Sequence, residues 1–405
     1  MCGLPARGKT HIALRISRYL SWLGYRTRHF NVGTYRRTRL GSQKRHEFFD
    51  PRNPEAREAR RDVAMAALSD LCDWFREGGE VGIYDATNSV RSRRDAVRAR
   101  CENEGLAVVF IESICEDEAL VAANIRQTKL HMPDYAGMDP DAAVADFRAR
   151  IAHYASVYEP VAKDEGAYIK LIDAGRELLA HQIQGYVPSR LVSFLMNLHL
   201  VPRSIYMTRH GQSEFNKQRK IGGDSPLSPQ GEEFSARLRD YMIAEVPSNE
   251  LMVWTSTLQR TIHTAARIER PTTEWRELDE IDAGECDGMT YEEIQTRMPR
   301  EFTARTEDKF GYRYPRGESY RDILRRLDRV IVEVERERSP VLIVGHQAVL
   351  RALYAYFMDK PTRDCPFLEI PLHTVFKLTP TPYGCDEERI VLGPIIAKGE
   401  SVTLP

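Results

Sequence analysis

Gly3-Leu4-Pro5-Ala6-Arg7-Gly8-Lys9-Thr10 meets the pattern G-x-x-x-x-G-K-[ST] at every fixed position, and its reading decides the fold of the first half of the chain. Glycines in such a loop let backbone N–H groups wrap a polyphosphate, the lysine reaches the terminal phosphates, and the last hydroxyl can bind magnesium. His11 to Tyr19 then reads as the helix whose positive end faces the anion. A loop of this kind normally follows a buried strand of about five residues. Only Met1 and Cys2 precede Gly3, so the expectation is a sequence shortened at its amino terminus, with the loop's main support lost and nucleotide binding weakened.

The acid expected opposite the loop is supplied by Val81-Gly82-Ile83-Tyr84-Asp85. At the end of an apolar strand, Asp85 can hold magnesium or take a proton from an attacking hydroxyl; the plainer alternative is a helix N-cap. Arg36, Arg37, Arg60, Arg61, Arg91, Arg93 and Arg94 recur in the same half. A guanidinium fork matches a phosphate monoester, so the group as a whole predicts a phosphorylated acceptor, although any one arginine is more readily a solvated surface residue.

Outward from these motifs, short apolar runs alternate with helical periods, the pattern of an α/β protein with mostly parallel strands. In the first half Val81 to Tyr84, Ala107 to Ile111 and Tyr168 to Ile172 read as strands, and Val63, Ala67, Leu71 and Trp74 as one helix face. In the second, Ser204 to Met207, Leu251 to Trp254 and Val341 to Val344 read as strands. Phe234, Leu238 and Tyr241 mark one helix face there, and Ile323, Leu327, Val330 and Val334 another. Each half has its own core, and the seam is expected near Pro202, where proline cannot continue a central strand. The length of 405 residues agrees with two or three domains at roughly 100 to 200 residues each.

Composition excludes several classes. Lys plus Arg at 58 nearly cancels Asp plus Glu at 59, so no global charge favours nucleic acid or a membrane surface. Neither Leu191 to Val201 nor Leu106 to Ile111 approaches the roughly 18 apolar residues of a spanning helix. The seven cysteines Cys2, Cys72, Cys101, Cys115, Cys286, Cys365 and Cys385 form no C-x-x-C pair, which speaks against a disulfide framework or a zinc site and for a reducing, cytoplasmic compartment.

A second constellation lies in the later half. The run Ser204 to Met207 leads into Thr208-Arg209-His210-Gly211-Gln212-Ser213, Trp254 leads into Thr255-Ser256-Thr257-Leu258-Gln259-Arg260-Thr261, and Val344 into Gly345-His346-Gln347. Ligands of open α/β sheets sit at the carboxyl ends of strands. Three strand ends thus deliver Arg209, His210, Arg260 and His346 to one rim, a set suited to a histidine nucleophile with arginines on the phosphoryl oxygens.

Together these motifs resemble the 6-phosphofructo-2-kinase/fructose-2,6-bisphosphatase family across nearly the whole chain. The resemblance also rests on Phe30-Asn31-Val32-Gly33 with Tyr35-Arg36-Arg37, Asp85-Ala86-Thr87-Asn88, Phe110 to Cys115, Ile221-Gly222-Gly223-Asp224, Glu280 to Gly284, Tyr312 to Tyr320 and His346-Gln347-Ala348-Val349. It implies two three-layer α/β domains: a P-loop kinase over 1–201 and a histidine phosphatase, phosphoglycerate mutase-like, over 202–405. It implies a bifunctional enzyme that phosphorylates fructose 6-phosphate at the 2-hydroxyl with ATP and Mg²⁺, and hydrolyses fructose 2,6-bisphosphate through a phosphohistidine, controlling glycolysis and gluconeogenesis.

In the kinase half the resemblance assigns Gly3 to Thr10, Asn124 and Lys129 to ATP, and Thr10 and Asp85 to magnesium. Asp85, Cys115 and Lys129 would flank the phosphoryl transfer, and Arg36, Arg37, Arg60, Thr87, Arg93, Arg150 and Tyr154 would hold the sugar phosphate. In the phosphatase half His210 would be the nucleophile, with Arg209, Arg260 and His346 on the phosphoryl group and Glu280 as acid then base. Asn216, Gly222, Tyr291, Arg305, Lys309, Tyr320, Gln347 and Arg351 would hold the rest of the bisphosphate.

Two departures from the family pattern stand out. Gln212 replaces the usual Glu beside the reacting groups, and Gly345 replaces the usual cysteine before His346. The partners implied are small sugar phosphates, without nucleic acid or membrane, and a homodimer is compatible with them. The alternatives carried forward are a phosphatase with an inactive kinase half, and a regulatory protein whose kinase half only binds nucleotide.

Overall fold

The computed structural model describes residues 1–126, 132–199, 203–381 and 384–393. It divides into two compact units, Met1–Leu200 and Val201–Pro405. The seam expected at Pro202 lies outside the described residues, as does Lys129.

The first unit runs α1 (Lys9–Trp22), β1 (Thr27–Asn31), α2 (Val32–Leu40), α3 (Pro54–Arg76), β2 (Val81–Asp85), α4 (Arg91–Glu102), β3 (Phe110–Ile114), α5 (Glu118–Asn124), α6 (Pro140–Ala155), β4 (Tyr168–Ile172), β5 (Glu177–His181) and α7 (Tyr186–Asn197). The expected apolar face of α3 is buried, with Val63, Ala67, Leu71 and Trp74 all in the core. The strands form two groups. β1 and β2 are parallel, with Asn31 opposite Asp85; β3 and β4 are parallel, and β5 joins β4 antiparallel. Met1 and Cys2 lie between the groups. The Met1 amino group donates to the Tyr84 carbonyl at 2.9 Å, and Cys2 exchanges bonds with Ile111 and Ser113 at 2.7 and 3.0 Å.

The third strand of this half is a correction. The strand runs Phe110–Ile114 where Ala107 to Ile111 was expected, and it extends past Ile111 through the buried polar residues Glu112 and Ser113, which hydropathy does not mark. Glu112 is fully buried but satisfied by Lys170 at 3.0 Å, the Tyr158 hydroxyl and the Val161 N–H.

The second unit runs β6 (Ile205–Arg209), α8 (Glu214–Lys217), α9 (Pro229–Glu245), β7 (Met252–Thr255), α10 (Gln259–Ala265), β8 (Thr272–Glu274), α11 (Tyr291–Arg297), α12 (Pro299–Glu307), α13 (Tyr320–Arg336), β9 (Val341–Gly345), α14 (Gln347–Phe357), β10 (Thr374–Thr381) and β11 (Gly384–Val391). One sheet of order β11-β10-β6-β9-β7-β8 holds them. β6, β9, β7 and β8 are parallel, while β10 and β11 extend the sheet antiparallel. Every residue of β9 is buried, as a strand covered on both faces requires. Phe234, Leu238 and Met242 of α9 pack on one face with Leu342 and Val344, and the expected α13 stripe of Ile323, Leu327, Val330 and Val334 is wholly buried.

Candidate functional site

The parallel order β6-β9-β7 puts three strand ends side by side, which is why residues far apart in sequence meet. His210 follows β6 and His346 follows β9, with ring centroids 5.1 Å apart. The His210 Nδ1 lies 2.7 Å from the Gly211 carbonyl oxygen. A carbonyl only accepts, so Nδ1 carries the proton and the Nε2 lone pair is left for chemistry. Burial, then the Arg260 and Arg209 charges, push His210 well below the ordinary imidazole range. Burial and Arg260 do the same to His346, whose Nε2 is 2.7 Å from the Ser256 hydroxyl. Both rings are therefore neutral at neutral pH, as a nucleophile requires.

An open cleft begins at His210. Arg209, Asn216, Gly222, Arg260, Glu280, Tyr291, Arg305, Lys309, Tyr320, Gln347 and Arg351 all line it, so of the phosphatase site residues expected from the sequence only His346, whose ring adjoins that of His210, is not among its lining. Each of four arginines has a neutral oxygen among its partners. Arg209 donates to the Ile370 carbonyl at 3.2 Å and Arg260 to the Gly223 carbonyl at 2.6 Å. Arg305 donates to the Tyr314 and Tyr291 hydroxyls at 2.8 and 2.6 Å, and Arg351 to the Leu368 carbonyl at 2.7 Å and the Tyr320 hydroxyl at 3.2 Å. Glu280 caps α14, accepting from Gln347 N and Ala348 N, each at 3.2 Å.

Lys220, Phe215, Tyr312 and Tyr314 also line the cleft and were missed in the sequence. Tyr312 and Tyr314 sit inside a quoted segment, and Lys220 directly precedes Ile221-Gly222, so adjacency was the available signal. Gln212, two residues from His210, is buried; its Oε1 accepts from the Ser228 hydroxyl at 2.8 Å and its backbone N–H donates to His373 Nε2 at 3.2 Å.

In the first unit the loop turns as the motif demands. Gly3 has φ +122°, and a Cβ there would lie 2.4 Å from the Ser113 carbonyl oxygen, so only glycine lets the loop leave the strand region. Gly8, at φ 76°, starts α1, which has no side-chain cap and no acid in its first turn, leaving its positive end suited to an anion. The Lys9 ammonium donates to the Leu4 carbonyl at 2.6 Å, and Asn124 donates to the Ala6 carbonyl at 3.2 Å.

Asp85 is buried at the end of β2 and accepts from His29 at 3.2 Å and Asn31 at 2.7 Å. Burial alone would raise its carboxyl, but hydrogen bonds from His29 and Thr10, with the Lys9 charge, hold it below the usual range. A hydroxyl beside an ionised carboxylate, next to a phosphate loop, fits a magnesium ion. The same depression makes Asp85 better suited to holding a cation than to taking a proton.

The arginines divide. Arg36, Arg60 and Arg150 converge on the ring of Phe49, at 5.5, 5.9 and 3.7 Å from its centroid, with the Tyr154 ring at 6.0 Å. Phe49 was not foreseen. Arg37 lies 3.8 Å from Asp134, the carboxylate that also holds Arg36 at 2.5 Å. Thr87 and Arg93 belong to the β2 end: the Thr87 carbonyl accepts from Gly3 N at 2.9 Å, and Arg93 reaches the Tyr84 hydroxyl.

Three others leave the expected cluster. Arg94 is fully buried in a fork to Glu165 at 2.6 and 2.8 Å, Arg91 pairs with Asp164 at 2.7 Å, and Arg61 lies on the exposed side of α3 near Glu58 and Asp62 at 3.8 Å. Each has an acidic neighbour within the fold. Cys115 packs in a cluster with Ala6 of the loop, Val121, Ile125 and Phe147, and burial raises its thiol.

Comparison with known proteins agrees with this layout. A family model described as 6-phosphofructo-2-kinase matches residues 1–202, and one for the histidine phosphatase superfamily (branch 1) matches 205–392. A 6-phosphofructo-2-kinase/fructose-2,6-bisphosphatase from Gallus gallus is 48% identical over 396 residues, covering 97% of this chain and 84% of the relative. One of the same name from Arabidopsis thaliana is 49% identical over 399 residues, of which this chain spans only 53% of the length. Among solved structures, an Escherichia coli protein titled a putative alpha-ribazole-5'-P phosphatase aligns with 47% of the chain and 96% of its own, at 22% identity and a TM-score of 0.43. With a phosphate loop opposite Asp85 in one unit, paired histidines over a cationic cleft in the other, and near-half identity along almost its whole length, the chain belongs to the 6-phosphofructo-2-kinase/fructose-2,6-bisphosphatase family.

Proposed function

We propose that the chain runs the two opposed reactions of its family at two separate sites, making fructose 2,6-bisphosphate from ATP and fructose 6-phosphate and returning it to fructose 6-phosphate and phosphate. The observation that carries this reading is the pair of buried, neutral histidines 5.1 Å apart at the head of a cleft lined by Arg209, Lys220, Arg260, Arg305, Lys309 and Arg351, with Glu280 the one carboxylate among its described lining residues. A ligand with phosphates at both ends suits cations at both ends.

In the hydrolysis, His210 Nε2 attacks the phosphorus at the sugar's 2-position while Arg209 and Arg260 neutralise its oxygens and His346 steadies them. The phosphorus–oxygen bond breaks, and Glu280 gives its proton to the departing sugar oxygen. Glu280 then takes a proton from water as that water attacks the phosphohistidine, freeing phosphate and restoring His210. Arg305, Lys309 and Arg351 hold the second phosphate, with Asn216, Gly222, Tyr291, Tyr320 and Gln347 around the sugar.

In the synthesis, Gly3 to Thr10 and Asn124 hold ATP, with Lys129 as a further expected contact. Thr10 and Asp85 would hold a magnesium ion, which would supply charge neutralisation for the migrating phosphoryl. Arg36, Arg37, Arg60, Arg150 and Tyr154 take the acceptor's 6-phosphate, with Thr87 and Arg93 nearer the loop, and bring its 2-hydroxyl into line. The six buried cysteines are thiols rather than disulfides, which supports a reducing compartment such as the cytoplasm, and no helix among the described residues is long and apolar enough to cross a membrane.

Two assays test the reading. Label from [γ-³²P]ATP should pass to fructose 6-phosphate and appear in fructose 2,6-bisphosphate, and label from 2-³²P bisphosphate should be trapped on His210; no transfer defeats the first half, and trapping that persists in His210→Ala defeats the second.

A further inference from the structure

Three of the cleft's cations are tied to one short segment that no sequence motif marked. The Leu368 carbonyl accepts from Arg351 Nε at 2.7 Å, and the Ile370 carbonyl accepts from Arg209 Nη1 at 3.2 Å. One stretch thus grips a guanidinium from β6 and another from α14. The Phe367 ring lies 5.7 Å from the Lys309 ammonium. The segment is anchored on both sides, with Cys365 fully buried and Ile370 at 1% exposure, whereas Phe367 is 66% exposed. A single exposed phenylalanine is ordinary; one packed on a cleft cation, beside backbone that holds two more, is a built feature.

We infer that Phe367 to Ile370 is a positioning strap for the phosphatase cleft, and that Phe367 sets affinity for the second phosphate by holding Lys309 at the mouth. The inference rests on the functional reading above and deepens it. A ring face attracts an ammonium without cancelling its charge, so this contact orients the lysine.

Steady-state kinetics of the full chain on fructose 2,6-bisphosphate and on p-nitrophenyl phosphate, which has no second phosphate, test it. Phe367→Ala should raise KM for the bisphosphate about two- to five-fold with kcat nearly unchanged. It should leave p-nitrophenyl phosphate kinetics alone, and Phe367→Tyr should behave as the parent. In a Lys309→Ala background, Phe367→Ala should add nothing. An unchanged KM in Phe367→Ala, an equal loss on both substrates, or full additivity with Lys309→Ala overturns the inference. A parent chain that fails to hydrolyse the bisphosphate overturns the functional reading instead, and is seen before any variant is made.

Discussion

In the first unit Arg36 is paired with the buried carboxylate of Asp134 at 2.5 Å, and Lys9 is folded back on the Leu4 carbonyl at 2.6 Å. In the second, Arg209, Arg305 and Arg351 donate to backbone carbonyls and tyrosine hydroxyls, and the Asp224 carboxylate comes no nearer to Arg260 than 3.9 Å. A neutral acceptor fixes a guanidinium and leaves its charge intact, whereas a carboxylate offsets that charge inside the protein. Arg351 of the phosphatase cleft is thus oriented by neutral oxygens, whereas Arg36 of the first unit would meet a phosphate with a carboxylate already beside it.

The largest effect that would break this contrast is at the nucleophile. His210→Ala should lower bisphosphate hydrolysis by about 10³-fold or more while leaving phosphoryl transfer from ATP intact; a parallel loss of both activities would show that the sites are not separate. Next, Asp85→Asn should lower the kinase activity by about 10²- to 10³-fold and leave hydrolysis alone, with magnesium titration of ATP-dependent turnover as the check.

Acid stability sharpens the contrast at smaller scale. His210 and His346 bind protons less readily folded than unfolded, so their share of stability is complete above about pH 6.5 and is lost as pH falls below it. Asp85, held low by His29 and Thr10 despite burial, keeps its share until pH falls below about 4. Calorimetry between those limits should show the phosphatase unit weakening first; the reverse order would contradict the assigned charge states. Smallest is Gly345→Cys, which restores the family's usual residue. A Cβ there would meet Leu350 Cδ2 at 3.2 Å, a contact that a leucine tip can relieve, so melting should shift by less than about 1 kcal/mol in stability and hydrolysis by less than about twofold.

Legibility followed chemistry more than pattern. His210, Arg209 and Arg260 were readable because strand ends and small motifs announce them, Glu280 only through the family resemblance, and the structure lines one cleft with all four. β1 was not read as a strand, because Thr27-Arg28-His29-Phe30-Asn31 buries only Phe30 and so lacks an apolar run. β11 was hidden likewise, an exposed edge rich in charge. The arginine group was half legible: composition cannot tell Arg94, consumed by Glu165, from Arg150, spread over Phe49. Contacts made by backbone oxygens, such as those of Leu368 and Ile370, carry no side-chain signature at all.

The bond from His210 Nδ1 to the carbonyl of Gly211 has a further chemical outcome. It closes one face of the imidazole to electrophiles, so a covalent adduct on this ring has a single regiochemistry, the tele isomer. Its ³¹P resonance and its hydrolysis in mild acid distinguish that isomer from the pros form, so one backbone oxygen dictates which ring nitrogen becomes bonded to phosphorus.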